Sequence, residues 1–419
     1  MSSESTLSET FIGALQGTIS VLLTCFAGYV VARRGFLNQP TVKHISKLCT
    51  SIFLPSLLIV QMGPELTTGS LSKYWIIPLW GLLSATIAHL IGWAGQYLFR
   101  LKHWTIVACG RPNSNALPLL LLQSLETTGM LEQLSGDGES VKDTLGRAKS
   151  LLLLNAIVQD IITIQLAPAV LGADRSRREK DKSPDRLKPG PGKLSVVQDE
   201  ERAGLLDDVD SEGSQRDSDR EMGGALGPIA DVPDLRTPQS LRPLEKPIKT
   251  MWSYMSAPLI GAIIAFILGI LPPLHEAFLS KHGVMYIPIT QAVKNLGDLF
   301  VVLQTFAVGA ELGLVPSSHP GYRATIWVLM IRFLVMPAIG MLFVWTTAGR
   351  GWYVSDPLVW FLLVLLPAGP SAMLLVNVAE IVDIDQGPIV GYMTVAYLLA
   401  PLMAVVCAIG LGIVKMRSG

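Results

Sequence analysis

Charge is what this chain has least of. Only 16% of its 419 residues are Asp, Glu, Lys or Arg, and they are unevenly spread. Of the 66 charged side chains, 32 fall in the 78 positions from Ala173 to Thr250, leaving 34 for the other 341. Outside that stretch about one residue in ten is charged, against roughly a quarter in ordinary soluble domains. A soluble globule cannot coat its surface with so few. The 33 basic and 33 acidic residues cancel; this balance says nothing about nucleic acid, and no nucleic-acid partner is expected. Cysteine is equally sparse. Cys25, Cys49, Cys109 and Cys407 all lie in hydrophobic stretches without metal-binding spacing, so they read as buried thiols packed as small apolar groups. Catalytic signatures are missing too. His275-Glu276-Ala277-Phe278-Leu279 lacks the second histidine of a zinc-protease helix, Gly297-Asp298 lacks the preceding glycine of an intramembrane aspartyl protease, and no phosphate-binding glycine loop occurs. Neither an enzyme nor an ATP-driven pump is expected, and no cofactor or metal.

Long apolar sequence is what remains. A bilayer core of about 30 Å needs roughly 20 mostly apolar residues per helix. Ten stretches qualify: 11–32, 44–63, 75–99, 104–125, 148–171, 252–274, 290–315, 322–347, 357–382 and 387–414. The second and fourth are weakened by Pro55, Pro112 and Pro118. The first has no basic leader or small-residue cleavage site and reads as a retained span. The expected fold is an all-α polytopic membrane protein in three parts: five spans in 1–172, a disordered loop at 173–250, and five more spans in 251–419.

Positive-inside bias orients these spans. Arg33, Arg34, Lys43 and Lys47 follow the first, Arg100 and Lys102 the third, and Arg175, Arg177, Arg178, Lys180 and Lys182 the fifth. This places the N-terminus outside the cytosol and the loop within it; Lys415 and Arg417 oppose the assignment mildly. The loop is basic at first and acidic after Asp199, and is too polar to bury a core. It reads as a solvated tether. The sharper alternative is a regulatory segment that touches anionic lipid and is phosphorylated at serines such as Ser195, Ser211 or Ser218.

Five spans on each side of the loop mean that a second, similar half enters from the opposite membrane face, the geometry of inverted repeats. The fourth span of each half carries the strongest hint. One reads Arg111-Pro112-Asn113-Ser114-Asn115-Ala116-Leu117-Pro118; the other reads Leu366-Pro367-Ala368-Gly369-Pro370-Ser371-Ala372-Met373, followed by Asn377. Proline removes a backbone donor and clashes with the preceding turn. Hydrocarbon cannot satisfy the freed carbonyls, so unwound backbone at that depth must be buried in protein or line a wet cavity. Two broken helices crossing at mid-membrane present helix N-termini, and thus positive dipole ends, to a carboxylate. Asn113, Ser114, Asn115, Ser371 and Asn377 then supply neutral polar groups, while Pro118 and Pro370 hold the helices open. Two ordinary proline kinks are the plainer alternative.

These stretches also carry a resemblance. The chain resembles the auxin efflux carrier family, the PIN and PIN-LIKES transporters, over nearly all ten spans. It does so through Ala27-Gly28-Tyr29, Phe53-Leu54-Pro55-Ser56-Leu57-Leu58, Asn113-Ser114-Asn115-Ala116-Leu117-Pro118-Leu119, Leu296-Gly297-Asp298, Val308-Gly309-Ala310-Glu311-Leu312, Arg332 with Met336-Pro337, and Pro370-Ser371-Ala372. The likeness is closer to PIN-LIKES and fungal members than to long PIN carriers, whose hydrophilic loop is much larger. It implies a scaffold domain, a transport domain with a proline crossover, homodimerisation, efflux of small organic anions and residence in the endoplasmic reticulum membrane, with the plasma membrane as the alternative. The acidic and basic pair that some PIN carriers show in the third span is replaced here by His89 alone.

Ionisable groups at mid-membrane cost about 2.5–3.5 kcal/mol on insertion scales and need a partner or a wet path. Asn155, Gln159 and Asp160 form a polar patch in the fifth span, either facing a cavity or hydrogen-bonded within the protein; Asp160 is the candidate coupling carboxylate of a sodium- or proton-driven carrier. Lys294 and Asp298, four apart, read as an interfacial ion pair. Glu311 lies within Gly309-x-x-x-Gly313, a spacing for close helix contact, and reads as structural. Arg332 reads as a charge partner for Asp160, Asp298, Glu311 or Glu380, with an anion path as the alternative. His89 reads as a packing histidine rather than a proton relay.

Overall fold

A computed structural model describes residues 2–136, 138–182 and 255–418. The expected disordered loop at 173–250 is corrected at its start, where residues 173–182 continue a helix; residues 183–254 lie outside the described residues, and with them the expectations placed on the acidic block and the serines. Among the described residues every element is helical, and the only extended pairing is one isolated backbone bridge. The expected all-helical class is what is found.

Helix α1 spans Ser2–Arg33 and α2 spans Gln39–Glu65. Asn38 caps α2, accepting from the Thr41 amide at 2.9 Å. Pro55 does not interrupt α2, because a wider π-turn at Cys49–Phe53 precedes it and opens room for the ring. Helix α3 is Ile76–Phe99, α4 is Trp104–Gly110, α5 is Ala116–Thr127 and α6 is Val141–Lys182. After the loop come α7 (Ala257–Ile270), α8 (Tyr286–Leu314) and α9 (Tyr322–Thr347), the last admitting Pro337 through a second π-turn at Ile331–Val335. The chain closes with α10 (Pro357–Leu365), α11 (Leu374–Ile381), α12 (Gly387–Leu398) and α13 (Met403–Ser418). Asp356 caps α10 through the Leu358 amide at 2.9 Å.

Seven helices among the described residues are long and apolar enough to cross a membrane; a bent pair makes eight if counted as one span. Ten unbroken spans are therefore not observed, and proline accounts for each difference. The expected 104–125 is divided into α4 and α5, and 357–382 into α10 and α11. The expected 252–274 is straight only to Ile270, after which Pro272-Pro273 begin a helical run turned by 98°. Between α12 and α13 the chain passes through a tight turn at Ala400–Leu402 containing Pro401.

Helices α1, α2, α7 and α8 pack together, with α1 and α8 closest. A Cβ at Gly28 would lie 2.0 Å from the Phe306 carbonyl oxygen, and one at Gly309 would lie 1.8 Å from that of Cys25. Backbone touches backbone there, the close contact expected around Glu311. Helix α3 packs on α4 and α6, while α9, α10 and α13 pack on one another. Outward faces are apolar: Leu90, Trp93 and Leu98 on α3 and Ile326, Leu334 and Leu342 on α9 are exposed. Large exposed side chains in such continuous strips suit lipid, not water. All four cysteines are buried and unpaired.

A clasp ties α6 to its surroundings. Arg147 donates to both Glu139 oxygens, at 3.0 and 2.6 Å, and pairs with Asp356. The Glu139 carboxyl, on the loop before α6, is pushed up by partial burial, but the Arg147 and Gly136 hydrogen bonds hold it below the usual carboxylate range.

Candidate substrate site

The site begins where two helices stop. Helix α4 ends at Gly110, next to Arg111 and Pro112; α10 ends at Leu365, before Pro367, Gly369 and Pro370. Gly369 holds φ +91°, which an L side chain adopts only under strain. The two breaks meet and pair as a miniature antiparallel ladder: the Asn113 amide donates to the Pro370 carbonyl at 2.8 Å and the Ala372 amide to the Arg111 carbonyl at 3.1 Å. Each break thus satisfies main-chain groups of the other, as buried backbone must.

The carbonyls stranded at the helix ends find side-chain donors. Arg332, 0% exposed, donates from Nε to Gly369 O (2.9 Å), from Nη2 to Ala368 O (3.1 Å) and from Nη1 to Cys109 O (3.3 Å). The expected partnership of Arg332 with a carboxylate is therefore corrected: its guanidinium staples both breaks through backbone oxygens. Ser371 Oγ donates to Ala108 O at 2.6 Å and shares a 2.7 Å hydrogen bond with Tyr392.

Beside this crossing lies a cavity of about 890 Å³. Asn113, Ser114 and Asn115 line it from the first break, and Asn377 lines it from α11. Asp160 of α6, Glu311 of α8, Tyr397 of α12, and Lys43 and Lys47 of α2 complete its polar wall; Val21, Leu54, Phe300 and Val308 supply apolar surface. Asn113 Nδ2 donates to the Tyr397 hydroxyl at 2.9 Å. The Asn115 Oδ1 is buried without a protein partner.

The anticipated residues thus divide. Asn113, Ser114, Asn115, Asn377 and Asp160 share the cavity wall. Pro118, Pro370 and Ser371 do not line it. Pro118 sits in the first turn of α5, where proline costs no helical hydrogen bond, so it does not hold that helix open. Asn155 and Gln159 are buried, at 0% and 1% exposure, and neither amide has a side-chain partner; Asn155 packs against Gly81, where a Cβ would lie 2.5 Å from its Oδ1. Glu311 accepts from Ser46 Oγ at 2.9 Å. The His89 ring is wedged against Gly110 with Nδ1 2.7 Å from the Ala85 carbonyl, while its Nε2 is buried without a protein partner. Lys294 and Asp298 are both exposed and form no ion pair; with solvent or headgroups able to solvate each, nothing drives them together.

One functional candidate was missed by reading the sequence. Arg111 stands inside the broken motif, yet its partner is 49 positions away in α6: Nη2 pairs with Asp160, and Nη1 donates to Ser114 Oγ at 3.2 Å. No local spacing announces that pair. The available signal is that an arginine and an aspartate, each deep in an apolar span, both require a counter-charge. A second inter-helix pair joins Lys43 of α2 to Glu380 of α11 at the cavity wall.

With the geometry in place, the match to known proteins is decisive: residues 14–407 fit the family model described as membrane transport protein. The chain belongs to that family. Within it, the similarity extends along whole chains. Protein PIN-LIKES 2 of Arabidopsis thaliana is 23% identical, covering 90% of this chain and 90% of its own. The uncharacterized transporter C5D6.04 of Schizosaccharomyces pombe is 23% identical, covering 88% and 87%. Protein PIN-LIKES 3 of Arabidopsis thaliana is 23% identical, covering 94% and 96%. The resemblance drawn from short motifs is thus a family relationship over nearly the full length.

Proposed function

We propose that this member of the membrane transport protein family is a secondary carrier that exports small amphipathic organic anions, auxin-like carboxylates such as indole-3-acetate, from the cytosol. One observation carries the reading: two broken helices pair their main chains on the wall of an 890 Å³ cavity with both polar and apolar lining. A volume of that order suits a small ligand. The Asn113 and Asn115 amides suit its carboxylate, and the apolar wall suits its ring.

Counting α4 with α5 and α10 with α11 as one broken span each supports ten spans in two inverted halves of five. With the basic segments in the cytosol, the cavity residues Lys43, Lys47 and Ser256 lie towards that side, which suits a cytosol-facing carrier. Alternating access then moves the crossing against the bundle of α1, α2, α7 and α8. Likeness to PIN-LIKES proteins supports a homodimer in the endoplasmic reticulum membrane, where export fills the lumen.

Purified protein in liposomes is expected to move labelled indole-3-acetate in a saturable way, and Asn113→Ala to lower that flux at least tenfold while eluting as folded protein. Flux equal to that of protein-free liposomes, across a panel of aromatic and aliphatic carboxylates, overturns the reading. A second reading, coupling to sodium or protons through Asp160, is favoured by that residue's place on the cavity wall; it requires flux to follow an imposed ion gradient.

A further inference from the structure

Arg111 has features that a purely structural ion pair does not explain. Its side chain is 3% exposed yet borders the cavity, and its hydrogen bonds are incomplete. Nη2 pairs with one Asp160 oxygen and Nη1 bonds Ser114, but Nε is buried with no partner. Nε and Nη2 point along the same edge of a guanidinium, the edge that grips a carboxylate with two parallel bonds. Asp160 therefore holds one position of a two-position fork, and the other makes no hydrogen bond. Asn115 shares the cavity wall with Asp160, and its Oδ1 is buried and unpartnered.

We propose that Arg111 is the receptor for the carboxylate of the transported anion and that Asp160 is its placeholder. In the empty site Asp160 neutralises the buried cation through one bond. An arriving carboxylate takes Nε and Nη2 together, and Asp160 is displaced towards Asn115 and the open cavity that it already lines. The protein's own acid and the cargo's acid exchange on one guanidinium, so the cation is never left bare at mid-membrane. This deepens the anion-carrier reading and rests on it for the identity of the cargo, although the receptor chemistry is testable by itself.

The exchange makes an unusual demand: removing the placeholder should strengthen anion binding. Asp160→Asn is expected to melt below wild type in chloride buffer, because the Arg111 charge has lost its partner. Acetate, the smallest carboxylate probe, should raise its melting temperature by several degrees more than it raises that of wild type, and indole-3-acetate should bind it at least tenfold more tightly than it binds wild type. An acetate shift no larger than wild type's, with unchanged affinity, overturns the proposal.

Should Asp160→Asn fail to fold, the double variant Arg111→Gln with Asp160→Asn removes both charges together and avoids an orphan. It should bind indole-3-acetamide as well as indole-3-acetate, whereas wild type should prefer the acid tenfold or more. A double variant that keeps the acid preference refutes the receptor role. The two readings separate cleanly. Wild-type flux without acetate rescue leaves the carrier standing and removes Arg111; acetate rescue without flux keeps the receptor and removes the carrier.

Discussion

Arg332 aims its guanidinium at three main-chain carbonyls on two different broken helices. Each carbonyl left without a donor costs about 1–3 kcal/mol. Arg332→Met should therefore lower the melting temperature of the detergent-solubilised protein sharply, and Arg332→Lys should recover only part of the loss, since an ammonium lacks the planar fork. Unchanged melting in Arg332→Met would show that the carbonyls find other donors. Sequence reading placed Arg332 inside a helix long and apolar enough to cross a membrane but gave it the wrong kind of partner. Depth can be read from flanking hydropathy; what faces a side chain depends on how α4, α9 and α10 pack. Arg111 is the mirror case, a residue quoted within the motif whose role stayed invisible until α6 brought Asp160 beside it.

Between elements, glycine sets the distance. Gly28 and Gly309 let α1 and α8 approach until backbone meets backbone, whereas a Cβ at Gly146 in α6 would meet nothing within 4 Å. Gly309→Ala should destabilise by about 1–3 kcal/mol through overpacking. Gly146→Ala should be neutral or stabilise by up to about 1 kcal/mol through helix propensity. Parallel thermal melts check both, and equal effects would show that the α1–α8 contact can relax. The Gly309-x-x-x-Gly313 spacing made this contact legible. The tolerance of Pro55 was not legible, because a π-turn leaves no mark in hydrophobic pattern. The Glu139–Arg147 clasp adds a dependence on pH. Glu139 is held below its ordinary value, so its contribution is present above the unfolded carboxylate pKa and is lost as pH falls through the folded value. Acid melts of Glu139→Gln should lack that component of the decline.

At the scale of the whole molecule, the pair between Lys43 of α2 and Glu380 of α11 joins the α1–α2–α7–α8 bundle to the broken segments. Both partners are partly exposed, so the pair contributes about 0–1 kcal/mol. It can break and re-form in every turn of the proposed cycle. If the loop is a tether, a chain lacking residues 185–250 should retain carboxylate flux; loss of all flux with normal folding would make the loop part of the machine. The position of the two breaks was legible because prolines set close together among small polar residues seldom leave an apolar helix intact. The crossing also orders events in time. The hydroxyl of Ser371 and the carbonyl that it binds on Ala108 are 263 positions apart. At about 5–20 residues synthesised per second, roughly 13–50 s separate the emergence of the first break from that of the second. Throughout that interval the Asn113 amide and the Ala108 carbonyl lack the partners, Pro370 and Ser371, that they have in the finished fold. The nascent first half is thus an obligatory client of whatever shelters polar backbone in the membrane, and any chain that stops short of Pro370 carries an unclosed site by which quality control can know it.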